Sequence, residues 1–269
     1  SGWGLYNTGT IGAVANAGTI TGSVYAINNG NPTSTLGPIT NSGVIAGNIL
    51  QASGRDLTIN GGTGATFGTL TGFGGAVGTI TNTASNVVFG TGNQVLNDNV
   101  DVGSNTVRNT AGVLQVNNAI SITGNYSQAA GATLRIGADD GAVATGSLAN
   151  DTGYGRLVVS GSATVDAGSA IALQTLHRYA FAAGQRFVVI DAASGGTNYN
   201  AGSLSYSATG FSGLATGATV PHCCDQLGMY RDLVYATPGL QASQVPNFFK
   251  DSTFGVRPGD RMYLAPEQR

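Results

Sequence analysis

Two pairs of carboxylates have the residue types and spacing for acid–base chemistry: Asp98 with Asp101, and Asp139 with Asp140. A carbohydrate lyase or hydrolase works through clustered carboxylates, usually beside a basic residue or a metal on one face. Asp98 and Asp101 lie at odd spacing around a strand candidate, so in a regular strand their side chains face opposite ways. Asp139 and Asp140 precede Gly141 in a Gly/Ala stretch, where a turn or a loose Ca²⁺ contact is the ordinary reading. His177, within Leu176-His177-Arg178-Tyr179, is expected in a loop, and no Gly-x-Ser-x-Gly elbow supplies a nucleophile. His222 adjoins Cys223, a pairing that can lower a thiol pKa, but a metal centre or thiol protease needs further partners. Gly62-Thr63-Gly64 and Gly72-Phe73-Gly74 lack the following helix and Lys of a phosphate-binding loop. Gly54-Arg55-Asp56 is not the Arg-Gly-Asp order of integrin ligands. No catalytic, cofactor-binding or metal site is therefore expected, and the chain reads as a non-enzyme.

The elements that would position such residues are set by a repeat. Leu5-Tyr6-Asn7-Thr8-Gly9-Thr10-Ile11, Val14-Ala15-Asn16-Ala17-Gly18-Thr19-Ile20 and Ile39-Thr40-Asn41-Ser42-Gly43-Val44-Ile45 share one phrase. Each has an aliphatic residue two before an Asn, a Gly two after it and an Ile four after it. Looser copies, Ile80-Thr81-Asn82-Thr83-Ala84 and Val107-Arg108-Asn109-Thr110-Ala111-Gly112, keep the aliphatic residue and the Asn. Asn and Gly tolerate left-handed backbone angles, so Asn-x-Gly between β-branched residues reads as a turn between short strands. Such units cannot bury an apolar side alone. Stacked at about 4.8 Å per coil they share a core and let buried Asn amides hydrogen-bond along the stack. A meander of hairpins is the competing reading, but hairpins favour directly adjacent Asn-Gly rather than Asn-x-Gly. The stack predicts Leu5, Val14, Ile39, Ile80 and Val107 at equivalent corners of one core.

Composition agrees with a β architecture. The 269 residues include 43 Gly, 11 basic and 13 acidic residues, with net charge −2, which argues against a basic nucleic-acid binder and against a charged disordered tail. Residues 1–220 contain neither Lys nor Glu. A surface of Thr, Ser, Asn and Gly suits a secreted β protein, and short side chains lose little entropy on stacking. Period-two segments such as Leu57-Thr58-Ile59 and Ile120-Ser121-Ile122-Thr123 dominate, and helical spacing is scarce. No apolar run approaches the roughly 18 residues of a membrane span, and the N-terminus has no basic-then-apolar signal. The chain is expected to be soluble as it stands or a piece of a longer secreted protein. Cys223 and Cys224 are adjacent and supply no disulfide framework.

Three regions are expected: 1–112 as irregular β-helix repeats, 113–220 as the end of the helix and its cap, and 221–269 as an atypical tail. Gly-rich 61–78 reads as loops between coils. The tail holds both Cys, both Met, the lone Lys and most of the prolines. Within it Asp225–Tyr235 reads as a short helix and Val256–Asp260 as a turn. Asn247–Val256 is similar to the leading segment of penicillin-acylase-like hydrolases, but no catalytic core follows it. Residues 193–220 are placed to fold over the last coil.

The second region carries a resemblance. Gly124-Asn125-Tyr126-Ser127-Gln128, Gly131-Ala132-Thr133-Leu134-Arg135-Ile136, Leu157-Val158-Val159-Ser160-Gly161-Ser162-Ala163 and the Gly184–Ala192 strand occur in this order. The series, over about residues 113–192, resembles the C-terminal part of the passenger in pertactin-like bacterial autotransporters. The resemblance implies an all-β, right-handed parallel β-helix with a β-rich C-terminal cap. It also implies that 113–192 is an autochaperone segment, which folds first outside the cell and templates the rest. A linker helix and an outer-membrane β-barrel would follow in that family, and neither is visible in this chain. The expected function is that of an extracellular stalk or adhesin, secreted or displayed on the bacterial surface. Its partner would be a surface protein or glycan of a host or neighbouring cell, with no nucleic acid and no membrane insertion by this segment. The alternative is a carbohydrate-active β-helix enzyme.

Overall fold

Short strands with alternating aliphatic residues bury one side only if the next coil covers it, and the computed structural model shows that stack. It describes residues 2–222 and 231–238. No α-helix occurs among them, and a 21-stranded sheet takes in nearly every strand. The fold is a parallel β-helix. One core column runs Leu5, Ile27, Ile49, Ile80, Val100, Ile122, Val159 and Ala192, each in parallel register with the next, which gives eight coils.

Each coil has three faces. The first carries that column. The second carries Val14, Ile39, Ile59, Phe89 and Asn109 in register, and the third carries Ile45, Leu70 and Leu96, then Leu114, Leu134, Ile171 and Tyr206. Coils repeat after 20 to 22 residues where nothing is inserted and after 25 to 37 where loops intervene. The corner from the third face to the first takes three of these excursions: 72–77, the antiparallel hairpin of Thr133–Val143 with Thr152–Tyr154, and 176–186.

The repeated Asn residues do form ladders. Asn7 Nδ2 donates to Asn29 Oδ1 at 2.7 Å, and Asn29 Nδ2 donates to Gln51 Oε1 in the coil after. Asn16 Nδ2 donates to Asn41 Oδ1 at 2.8 Å. These are two ladders at two corners, because Asn7 closes the first face and Asn16 the second. The expected core residues do point inward. They divide between faces, however, with Leu5 and Ile80 on the first and Val14, Ile39 and Val107 on the second.

The Gly of the phrase does not make a left-handed turn; in the third copy it serves coil stacking, whereas a Cβ on Gly9 or Gly18 would meet open space. Gly9, Gly18 and Gly43 all avoid positive φ. A Cβ on Gly43 would lie 2.1 Å from the carbonyl oxygen of Gly18 in the coil before. The turn itself is held by the Asn side chain, whose Oδ1 accepts from the backbone N–H two residues on, Gly9 at 3.0 Å and Gly18 at 3.2 Å.

Several expectations for the connections are corrected. Within 61–78, Gly68–Thr71 is a strand of the third face rather than loop. Residues 193–208 extend the last coil instead of covering it, since Ser205–Ala208 pairs in parallel with 170–173 and Thr164 bridges Asn198. The closing element is a hairpin of Ala215–His222 with Arg231–Pro238, whose second strand lies antiparallel on Phe187–Ala193. Residues 231–235 are therefore strand, not helix. Residues 225–230, Cys223, Cys224, 247–256 and the turn at 256–260 lie outside the described residues.

Candidate functional site

The long strand Asn93–Asn109 decides the fate of the first carboxylate pair. Alternation along it buries Gln94, Leu96, Asp98, Val100 and Val102 and leaves Asn97, Asn99 and Asp101 outward. The opposite facing expected for Asp98 and Asp101 holds, so the two carboxyls do not converge. Asp98 is wholly buried, in register with Gly78, whose missing side chain makes room for it. Asp98 Oδ1 accepts from Gly78 N at 3.0 Å, while Oδ2 has no hydrogen-bond partner. Burial in the apolar core outweighs that one bond and pushes its pKa up to about 7.

The second pair acquires a partner from the next coil. Asp139 Oδ1 lies 2.7 Å from His177 Nδ1, and Asp140 Oδ1 accepts from Arg178 N at 2.9 Å. Two excursions of the same corner meet there, one leaving the strand Thr133–Val143 and the other following Ala170–Thr175. His177 sits in the left-handed region at φ 51°. Its side chain and that of Asp139 are largely solvated. The shared hydrogen bond raises the His177 pKa and lowers that of Asp139, with their mutual charge attraction adding to both. A His–carboxylate dyad of this kind can orient an imidazole as a base. Here it clips one loop to another. Among the described residues, no group of three or more His, Cys, Asp or Glu is placed to hold a metal ion.

A third acidic residue escaped the sequence reading. Asp151 is buried and fully engaged: Oδ1 accepts from Thr145 N and Oγ1 at 2.8 and 2.7 Å, and Oδ2 accepts from Gly146 N and Tyr154 Oη, both at 2.9 Å. Tyr154 Oη also accepts from Val188 N, and its ring packs edge-on against Phe187. Burial, with the Asp151 charge beside it, raises the tyrosine pKa. This network ties the 133–154 hairpin to the eighth coil and is structural. Its one signal in sequence was an Asp three residues from a Tyr, which is too common to act on.

Gly62-Thr63-Gly64 leads to the strand Gly68–Thr71, and Phe73–Gly75 is a single 3-10 turn, so neither forms a loop-to-helix phosphate cradle. Asp56 of the Gly54-Arg55-Asp56 run accepts from Ser85 Oγ and from the backbone and side chain of Asn86, bonds that hold its pKa low. His222 ends the strand Ala215–His222, and its neighbour Cys223 lies outside the described residues. No helix among the described residues is long and apolar enough to cross a membrane. No family model matches the chain, and no curated protein or solved structure matches it.

Proposed function

We propose that this chain is an extracellular stalk or adhesin segment of an autotransporter passenger, with residues 113–192 promoting folding during secretion. The observation that carries the reading is that the two longest insertions of the stack leave one and the same corner, which a shorter one shares. The excursions 72–77, 139–154 and 176–186 all leave the corner between the third and first faces. In solenoids, insertions gathered on one side mark the side that meets a partner, because the stack supplies rigidity and the loops supply variation. The separation of Asp98 from Asp101 supports a binding role over glycan cleavage.

The folding role is supported by construction of the C-terminal coils, where the Asp151–Tyr154–Val188 network ties the 133–154 hairpin to the eighth coil beside the completely or almost completely buried Leu157, Val159, Ile171, Leu173 and Ile190. Limited proteolysis of the intact chain tests this part: residues 113–192 should survive longest. Prior loss of that block, with 2–110 remaining, would refute it. Protease shaving of cells expressing the complete gene tests display, since a surface passenger is released and an intracellular protein is spared.

A further inference from the structure

Most large apolar side chains of a β-helix belong inside, yet Trp3, Tyr6, Val24, Phe73 and Val77 are each about half exposed. Trp3, Val24, Phe73 and Val77 lie at or beside the corner between the third and first faces, and Tyr6 reaches Trp3 from the same strand, whereas the exposed Val143 and Leu214 lie elsewhere. Trp3 and Tyr6 stack with ring centroids 4.5 Å apart and planes 26° from parallel. Val24 N donates to Gly2 O at 2.8 Å, which sets Val24 opposite Gly2, next to the Trp3–Tyr25 pair of the first two coils. The turn Phe73–Gly75 packs on the strands Thr19–Asn29 and Val44–Gln51, bringing the 72–77 excursion to the same corner. The result is an aromatic ridge at the first end of the loop-bearing corner.

We propose that this ridge binds a neutral saccharide, in a proposal that rests on the adhesin reading and names its ligand. Charge is the first argument. No Asp, Glu, Lys, Arg or His occurs in 2–54 or 57–97, so the surroundings offer hydroxyls and amides, Ser23, Asn48 and Thr79, and nothing to neutralise an acidic or basic partner. Asn48 is held in place by its own bonds, Nδ2 to Val24 O and Oδ1 from Thr79 N. Area is the second. Five side chains at half exposure offer roughly 400 Å², about half of the ~800 Å² per partner that a stable protein interface buries. That matches a short oligosaccharide. β-1,4-linked neutral pyranoses, whose equatorial substituents leave flat C–H faces, fit against the ring faces that the Trp3–Tyr6 stack does not cover, and the neighbouring amides and hydroxyls match the ring-edge hydroxyls.

Trp3 is the sole tryptophan and reports on its own site. Titration of the purified chain with chitohexaose and with cellohexaose should shift its emission saturably for at least one of them, with Kd of about 0.1–1 mM. Tyr6→Ala and Phe73→Ala should each weaken binding by about fivefold or more while the circular dichroism spectrum stays unchanged. Calorimetry on Trp3→Ala, which has no reporter, should show no binding. Absence of a saturable response to both sugars overturns the proposal, as does binding that survives both ring deletions. A concentration-dependent rise in mass without a sugar response overturns it in favour of a second copy on the ridge. None of these results bears on surface display, which protease shaving reads separately.

Discussion

A carboxyl enclosed by aliphatic side chains makes stability depend on pH in a direction opposite to that of most acidic residues. Asp98 has an ordinary value of 3.8 that burial raises to about 7. Below pH 3.8 it is protonated folded or unfolded and contributes nothing to the difference. Between these values the unfolded chain ionises while the folded one holds its proton, so folding weakens as pH rises, and the loss levels off above about pH 7. At about 1.36 kcal/mol per pH unit, the full excursion is worth up to about 4 kcal/mol. Asp98→Asn keeps the Oδ1 acceptor for Gly78 N and cannot ionise. The variant should match the parent within about 1 kcal/mol at pH 4 and exceed it by about 2–4 kcal/mol at pH 8. Urea unfolding of both proteins at pH 4, 6 and 8, followed by circular dichroism, measures the difference with the other titrating groups cancelled. A parent that gains stability relative to Asp98→Asn as pH rises, or a variant no better at pH 8, would refute the account of this site.

Three other perturbations have definite outcomes. Gly43→Ala drives a Cβ into the Gly18 carbonyl and should cost about 1–3 kcal/mol or more, whereas Gly18→Ala meets open space and should fall within about 0.5 kcal/mol of the parent in the same denaturant assay. Protonated His177 is favoured by Asp139, so the contact is fully present below the ordinary histidine value and fades as pH rises through the raised one. NMR titration should show the His177 pKa dropping in Asp139→Asn, and an unchanged value would mean that the pair does not persist in solution. A chain ending at residue 238 should remain a folded monomer by light scattering, while one ending at 208 uncovers the edge of Phe187–Ala193 and should self-associate. A monomeric, fully folded shorter chain would show that the hairpin is dispensable as a cap.

How far the sequence determines these features differs from one to the next. The stack was legible because Asn-x-Gly recurs with aliphatic residues at fixed offsets, and a fixed offset survives any loop length. Its assignment to corners was not legible. An Asn that ends a face accepts from a following N–H and donates along the stack whichever corner it occupies, so Asn7 and Asn16 look alike in sequence and sit at different corners. The burial of Asp98 follows from the same alternation that separates it from Asp101, since Leu96 and Val100 flank it at even spacing. The meeting of Asp139 with His177 spans 38 residues and depends on where two insertions of different length leave the coil, for which local pattern holds no ruler.

The division between regular faces and one irregular corner also explains why the candidate chemistry scattered. A residue on a face is fixed by its coil: it points into the core, as Asp98 does, or joins an outward row, as Asp101 does. Convergence of several polar groups on one point needs chain that leaves the stack, and the two longest excursions do so at a single corner. Along that corner the two ends differ in kind. The end near the first coil presents stacked aromatic rings in a segment without ionisable charge, whereas the end near the seventh and eighth coils presents the Asp139–His177 clip beside the edge-on rings of Tyr179, Phe181 and Phe187. Aromatics at the second end pack on one another around the buried Phe187 and serve the hairpin. Those at the first end are half exposed to water. Elsewhere among the described residues the large apolar side chains of comparable exposure are Val143 and Leu214, which bring no aromatic ring with them, and for that reason the ridge at Trp3, rather than any carboxylate pair, is where binding should be sought first.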